Sequence, residues 1–302
     1  MEPTGKKIMA RGRRLENGDL DLLAKQGIEQ VWVVSLAPDE RSEDHILEDL
    51  LPVVGQGSFE IKQLPGGRAD FIARDDSALV LHVDRLFALN SSGVGVLCAA
   101  PQFARLKAGQ RFAQFRTRPF GAPAERLQAL RELLGHTGAC FDVKPIFTPR
   151  VTVLYTDPVR PEKARGLFES AVTARAKALD FIPHHDICVE DEEPLTRAFH
   201  EARERGTDLV LVASTMAPST PEDVIGRAMA AAGAHIEHYL APVEPGSLMM
   251  IGYAGQTAVL SAPGCFRSTK TNGVDVILPA LLARHRLTAT VLSSLGPGGL
   301  LE

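Results

Sequence analysis

Apolar and polar positions change rhythm near the middle of the chain. Up to about residue 145, short strand-like runs mix with a few helical stretches. Leu20, Leu22, Leu23 and Ile28 predict a short helix ending near Gly27, followed by a strand over residues 30–35, Gln-Val-Trp-Val-Val-Ser. Residues 78–83 and 94–98 read as further strands, and residues 127–134 as a helix. Gly135, Gly138, Pro145 and Pro149 then mark a linker.

From Val151 the alternation is regular. Residues 151–155 form a strand-length apolar run, and residues 162–179 carry Leu167, Val172 and Leu179 at helical spacing. A strand over 187–189, a helix over 195–205 and a strongly apolar strand over 208–213 follow. Thr220-Pro221-Glu222-Asp223 predicts a helix start, with Thr at the N-cap, Pro at the first position and an acid three residues after the cap. Gly233 ends that helix. Residues 248–253 and 257–262 predict a hairpin across Ala254-Gly255-Gln256. Val274, Ile277, Leu278, Leu281 and Leu282 predict a last helix. Strands alternating with helices imply a largely parallel sheet covered on both faces. The expected fold is therefore α/β: a three-layer sheet with helices on both faces over residues 150–302, preceded by a smaller mixed α+β domain over residues 1–145. In such sheets ligands sit beyond the carboxyl ends of the strands, which places the loops after Tyr155, Val189, Ala213 and Ala262 on one rim.

Composition narrows the function. The 302 residues are 45% hydrophobic and 23% charged, as in an ordinary globular protein. A net charge of −4 argues against nucleic acid as the main partner, because phosphate-backbone binding needs a strong positive field. One basic loop is enough for a small anion. Cys98, Cys140, Cys188 and Cys265 are widely separated, which fits a reducing compartment rather than a disulfide framework or a zinc site. No signal-peptide core and no run near the ~20 apolar residues of a membrane span is present, so a cytoplasmic protein without membrane contact is expected. A homo-oligomer is compatible with these numbers.

The most informative segment runs from Thr257 to Ala283. Its apolar run breaks at Pro263-Gly264, and the loop then carries Cys265, Arg267, Ser268, Thr269, Lys270 and Asn272-Gly273 before the helical spacing resumes. A strand followed by a Gly-containing loop and a helix start offers backbone N–H groups to an anion, and hydroxyls, a guanidinium and an ammonium add donors. The same composition also makes an ordinary surface turn. Val259-Leu-Ser-Ala-Pro263-Gly264-Cys265, with Arg267-Ser268, Lys270, Asn272-Gly273 and Asp275, resembles the closing loop of the molybdopterin-binding fold shared by molybdopterin molybdotransferases and molybdopterin adenylyltransferases. It is closest to an uncharacterised branch. The resemblance covers roughly residues 151 to 286, with an echo between Gly12 and Val33.

The resemblance implies a site. Pro263, Gly264, Arg267, Ser268, Thr269 and Lys270 would hold the phosphate of molybdopterin, a small anionic pterin. Ser214, Thr215, Ser219 and Thr220 lie where the family has a glycine-rich loop. This chain has no glycine there, so hydroxyls remain as donors but close backbone approach is lost. Asp223 matches the family's acid after that loop, and Asp191, within Glu190-Asp191-Glu192-Glu193, matches an acid after a strand. Both would be catalytic and would hold Mg²⁺, which takes few protein carboxylates. Each also suits an ordinary helix N-terminus. Pro245-Gly246 matches a supporting turn. His184-His185-Asp186 lacks further ligands at metal spacing, and His235 and His238 would point to opposite faces of a strand. Cys265 has no evident His or Asp partner.

Three readings follow. The first is molybdopterin binding in molybdenum cofactor assembly, with molybdotransferase-like, Mg²⁺-assisted chemistry. The second is a non-catalytic pterin carrier or sensor, favoured by the glycine-free loop. The third, an unrelated nucleotide-binding domain, needs a Gly-rich fingerprint that Thr156-Asp-Pro-Val-Arg160 does not supply.

Overall fold

The structure is a computed structural model that describes residues 8–9 and 13–301. In the first half the elements run α1 (Asn17–Lys25), β1 (Glu40–Ser42), α2 (Glu43–Val54), β2 (Gly55–Gly57), β3 (Phe59–Leu64), β4 (Arg68–Ala73) and β5 (Ser77–Leu81). They continue with α3 (Val83–Ser91), β6 (Gly95–Ala99), β7 (Arg105–Leu106), β8 (Arg111–Thr117), β9 (Gly121–Pro123), α4 (Ala124–Thr137) and β10 (Phe141–Pro145). The second half holds β11 (Val151–Asp157), α5 (Pro161–Leu179), β12 (Pro183–Val189), α6 (Glu192–Glu204), β13 (Leu209–Ser214), α7 (Val224–Ala231) and β14 (His235–Tyr239). It ends with β15 (Met250–Ala254), β16 (Thr257–Ser261), a 3₁₀ turn over Gly264–Arg267, α8 (Gly273–Leu282) and α9 (Ala289–Ser293).

Two compact units result. The first gathers the described residues up to Arg74 with Leu81–Ala100 and Ala108–Val143. Its antiparallel sheet has the order β3-β4-β8-β6. Phe59, Phe71, Phe112 and Phe141 interlock with ring centroids 5.2 to 6.3 Å apart. The expected strand over residues 30–35 does not form. Val31, Trp32, Val33 and Val34 are exposed and outside any sheet. β-forming side chains do not make a strand without a partner for its N–H and C=O groups.

The second unit takes Asp75–Val80 and Pro101–Lys107 together with the chain from Lys144 onward. Its six strands lie in the order β12-β11-β13-β16-β15-β14. The first four are parallel, and β15 is antiparallel to both its neighbours. The expected hairpin is β15–β16. Side-chain alternation divides the interior into two cores. Val153, Tyr155, Leu211, Ala213 and Leu260 pack with Phe168 of α5 and Ile277 of α8 on one face. Leu154, Val210, Val212 and Val259 pack with Leu195 of α6 and Ile225 of α7 on the other. Every residue of β13 is buried, as a strand covered on both faces must be, and each such apolar side chain contributes ~1.5–3 kcal/mol. The fold is α/β, with helices on both faces of this sheet. Among the described residues no helix is long and apolar enough to cross a membrane.

Three local expectations need correcting. The segment read as a linker contains the end of α4 and strand β10. α7 begins at Val224 with Asp223, not Thr220, as its N-cap. The Asp223 carboxylate accepts the N–H groups of both Gly226 and Ser219, at 2.9 Å each, and so moves the start three residues downstream. A bulge between Ile236 and His238 pairs His235 with Tyr253 and His238 with Ile251, so these two histidines share a face.

Candidate functional site

The strand order fixes where a crevice opens. From β11 the chain crosses to β12 on one side, and from β12 it returns past β11 to β13. The helix after β11 packs on one face and the helix after β13 on the other, so their two loops diverge. Asp157 ends β11, Glu190 follows β12, Ser214 ends β13 and Thr215 follows it at this point.

The hydroxyls here face acids. Ser214 Oγ donates to Glu190 Oε2 and accepts the Met216 N–H at 2.8 Å. Thr215 Oγ1 donates to Asp157 Oδ2 at 2.5 Å, while Asp157 Oδ1 accepts the N–H groups of Val159 at 2.8 Å and Arg160 at 2.6 Å. Those hydrogen bonds, the Thr215 hydroxyl first, hold the Asp157 pKa down to about 2. Burial pushes Glu190 up instead. The Ser214 hydroxyl opposes that shift, and the negative charges of Asp223 and Asp157 add to it. Thr220 Oγ1 accepts the Glu222 N–H at 3.1 Å, and Tyr239 of β14 ties down the carbonyls of Pro218 and Ser219. Thus Ser214 and Thr215 commit their hydroxyls to carboxylates, and Ser219 and Thr220 belong to the turn that caps α7. Three acids, Asp157, Glu190 and Asp223, give this rim a negative field.

Asp191, the acid singled out in the sequence, and its neighbour Glu190 stand in different settings. Asp191 is the exposed N-cap of α6, accepting the Glu192 N–H at 2.8 Å. Glu190 is the acid that faces Ser214 and senses Asp223. Strand parity carried the signal, because Glu190 continues the alternation of β12 onto the side of Cys188, which packs against the α6–α7 core. Among the described residues no group of three or more His, Cys, Asp or Glu could hold a metal ion. Both oxygens of Asp223 already accept backbone N–H groups, so the pair Asp191 and Asp223 does not fit the Mg²⁺ that the resemblance implies. His184 pairs with Asp186 at 3.0 Å, and His185 stacks on Tyr155 with Nδ1 3.0 Å from its hydroxyl.

The loop after β16 is different. Pro263 is buried, and Gly264 opens the 3₁₀ turn. Arg267, Thr269 and Lys270 are exposed, and neither cation has an ion pair or hydrogen bond among the described residues. Ser268 Oγ accepts the Lys270 N–H at 3.1 Å. The first N–H groups of α8 are already used. Gly273 donates to Pro245 O at 2.8 Å, Val274 to Asn272 Oδ1 at 3.1 Å, and Asp275 to Asn272 O at 2.9 Å. The helix start therefore closes on itself, and the anion capacity lies in the loop. Gly246 braces this join: it sits at φ +125°, and a Cβ there would come within 2.4 Å of Gly273 N. Burial raises the Cys265 thiol above its ordinary value, the opposite of an activated nucleophile.

Behind the loop lies a residue the sequence did not point to. Arg175 of α5 is 5% exposed, and its Nε and Nη2 grip the Asp275 carboxylate at 2.7 and 2.9 Å. Its guanidinium also lies over the Phe266 ring, 4.7 Å from the centroid.

No family model matches the sequence, and no curated protein matches it. Among solved structures the chain is similar to the crystal structure of the molybdopterin biosynthesis moea protein from Pyrococcus horikosii. The likeness spans 85% of this chain and 81% of that one, at 15% identity and a TM-score of 0.35. At that level it carries no argument. The class these observations define is an α/β protein with an open six-stranded sheet, three acids on the rim at its strand switch and a separate basic loop.

Proposed function

We propose that this chain binds molybdopterin or adenylylated molybdopterin during molybdenum cofactor assembly, with loop residues 263–270 taking the phosphate. The observation that carries the reading is the pair of exposed cations Arg267 and Lys270, without an ion pair among the described residues, in a loop whose sequence resembles the closing loop of the molybdopterin-binding fold. Arg takes a phosphate in a fork and Lys serves as a point charge. Changing both to Ala is expected to weaken molybdopterin binding at least ~tenfold, at ~1.5–3 kcal/mol for each charge-assisted contact, with the melting temperature unchanged. Unchanged affinity in a folded double variant would return the loop to an ordinary turn.

Within that reading, a carrier or sensor has a specific observation in its favour over a transferase. The loop at 214–220 lacks glycine, and Ser214 and Thr215 already serve Glu190 and Asp157. Complementation of a strain lacking its molybdotransferase separates the two. A carrier fails even as wild type. A transferase complements, and loses that activity in Asp191→Asn and Asp223→Asn while still binding pterin.

A further inference from the structure

Arg175 does more than pair with Asp275. Its Nη1 donates to the carbonyls of Phe266 at 3.3 Å, Ser268 at 3.0 Å and Ala171 at 3.2 Å, and its Nη2 reaches Lys270 O at 3.4 Å. Three carbonyls of the basic loop are thus drawn inward onto one buried guanidinium. The consequence follows from peptide geometry. In a trans peptide the C=O of one residue and the N–H of the next point in opposite directions. The bonds from Ser268 to Thr269 and from Lys270 to Thr271 are trans. With Ser268 O and Lys270 O aimed at Arg175, the N–H groups of Thr269 and Thr271 aim away from it. Thr269, Lys270 and Thr271 are all exposed, and neither of these two N–H groups has an acceptor among the described residues.

We infer that Arg175 is a positioning residue that presets residues 268–271 as a backbone anion cradle, with the Thr269 and Thr271 N–H groups as donors and a phosphate monoester or similar tetrahedral oxyanion as ligand. The inference rests on the anion reading of the same loop and adds to it the donors and the device that aims them. The Lys270 N–H between them is bonded to Ser268 Oγ, so the donors are two alternate N–H groups turned to one side, and backbone amides so turned hold anions elsewhere. The side chains of Arg267 and Lys270 supply charge, and Arg175 supplies direction without touching the ligand. Its rigidity has a physical source. A planar fork held by a carboxylate, an aromatic face and four carbonyls has no rotamer freedom left. Lysine in its place keeps the charge but not the fork.

The test is titration of the isotope-labelled full chain with inorganic phosphate, followed by amide NMR. In wild type the Thr269 and Thr271 resonances are expected to move and saturate together. Thr269→Pro removes the backbone donor, and Ser268 already holds the extended ψ of 148° that a following proline prefers; Thr269→Val, which removes the hydroxyl but keeps the N–H, is its control. Phosphate affinity of the proline variant is expected to fall about tenfold, as for one charge-assisted bond, with an unchanged melting temperature. Arg175→Lys is expected to lose affinity to a similar degree and to lose the paired Thr269 and Thr271 response. If wild type binds no phosphate, the anion reading itself falls. If wild type binds, the Arg267→Ala/Lys270→Ala double variant does not, and Thr269→Pro binds as tightly as wild type, the cradle alone is overturned. Should Arg175→Lys fail to fold, Thr269→Pro and the wild-type amide response still decide.

Discussion

The loops after β13 and β16 start alike and end differently. Both leave the carboxyl ends of neighbouring parallel strands, both lead to a capped helix, and both are rich in hydroxyls. In the first, Ser214 and Thr215 donate to Glu190 and Asp157, and Asp223 closes the turn. In the second, a buried guanidinium collects the carbonyls, and two exposed cations have no ion pair among the described residues. The lesson is that a hydroxyl has no sign. Serine and threonine both donate and accept, so whether such a loop suits an anion is decided by the charged groups that reach it from other elements. Here those groups come from β11 and β12 in one case and from α5 in the other.

The largest effect expected from this contrast is at the clamp. Asp275→Leu strips the carboxylate from a guanidinium that is 6% exposed at the side chain, and also breaks the box that caps α8. Removing one partner of a buried ion pair costs about 3–5 kcal/mol, and the quarter exposure of Asp275 places this case near about 3 kcal/mol. Denaturant unfolding measures it. A loss below about 1 kcal/mol would mean that Arg175 finds other acceptors and that the basic loop has no rigid backing.

The matching change on the acidic side is smaller. Asp223→Ala removes the N-cap of α7 and the brace on Ser219, an effect of ~1 kcal/mol on stability. It also removes a negative charge that pushes the Glu190 pKa up. Glu190 should therefore titrate lower in the variant, by carboxyl NMR. An unmoved Glu190 would show that the two acids do not share a field.

Much of the second unit was legible in the sequence, because apolar runs report burial directly. β11, β13 and β16, the β15–β16 hairpin and α5 follow from strand-length runs and helical spacing. The site was legible only in part. Arg267 and Lys270 stand exposed, but Arg175 and Asp275 are 100 residues apart. A helix arginine in such a pattern reads as a solvated charge, and nothing local says that a carboxylate will meet it. The different settings of Asp191 and Glu190 were hidden for another reason. Four acids in a row look alike by composition, and only the parity of β12 distinguishes the one facing the core from the one capping α6. The strand expected over residues 30–35 shows the converse limit. Side-chain preference is local, whereas a ladder needs a partner.

The smallest and sharpest test lies in how the two acids titrate. Thr215→Val removes the largest cause of the low Asp157 pKa at nearly constant shape, so that pKa should rise from about 2 toward its ordinary 3.8. The sign for stability follows from linkage. A carboxylate with a depressed native pKa stabilises the fold above its unfolded value, and that contribution is lost as pH falls through the native one. Wild type should therefore keep this contribution at pH 4 and lose it on approaching pH 2, whereas the loss begins at higher pH in Thr215→Val. Ser214→Ala moves Glu190 in the same direction, from a different starting point. The Ser214 hydroxyl favours the ionised carboxylate, so removing it raises a pKa that burial has already raised. A group with a raised native pKa stabilises the fold below its unfolded value, and that contribution is lost as pH rises through the native one. Ser214→Ala should carry that loss to higher pH. Upward movement of both acids, each in its own variant, seen as carboxyl titrations and as melting temperature against pH, would establish that this loop serves its carboxylates. If neither acid moves, Ser214 and Thr215 are free for a ligand, and the contrast with the basic loop disappears.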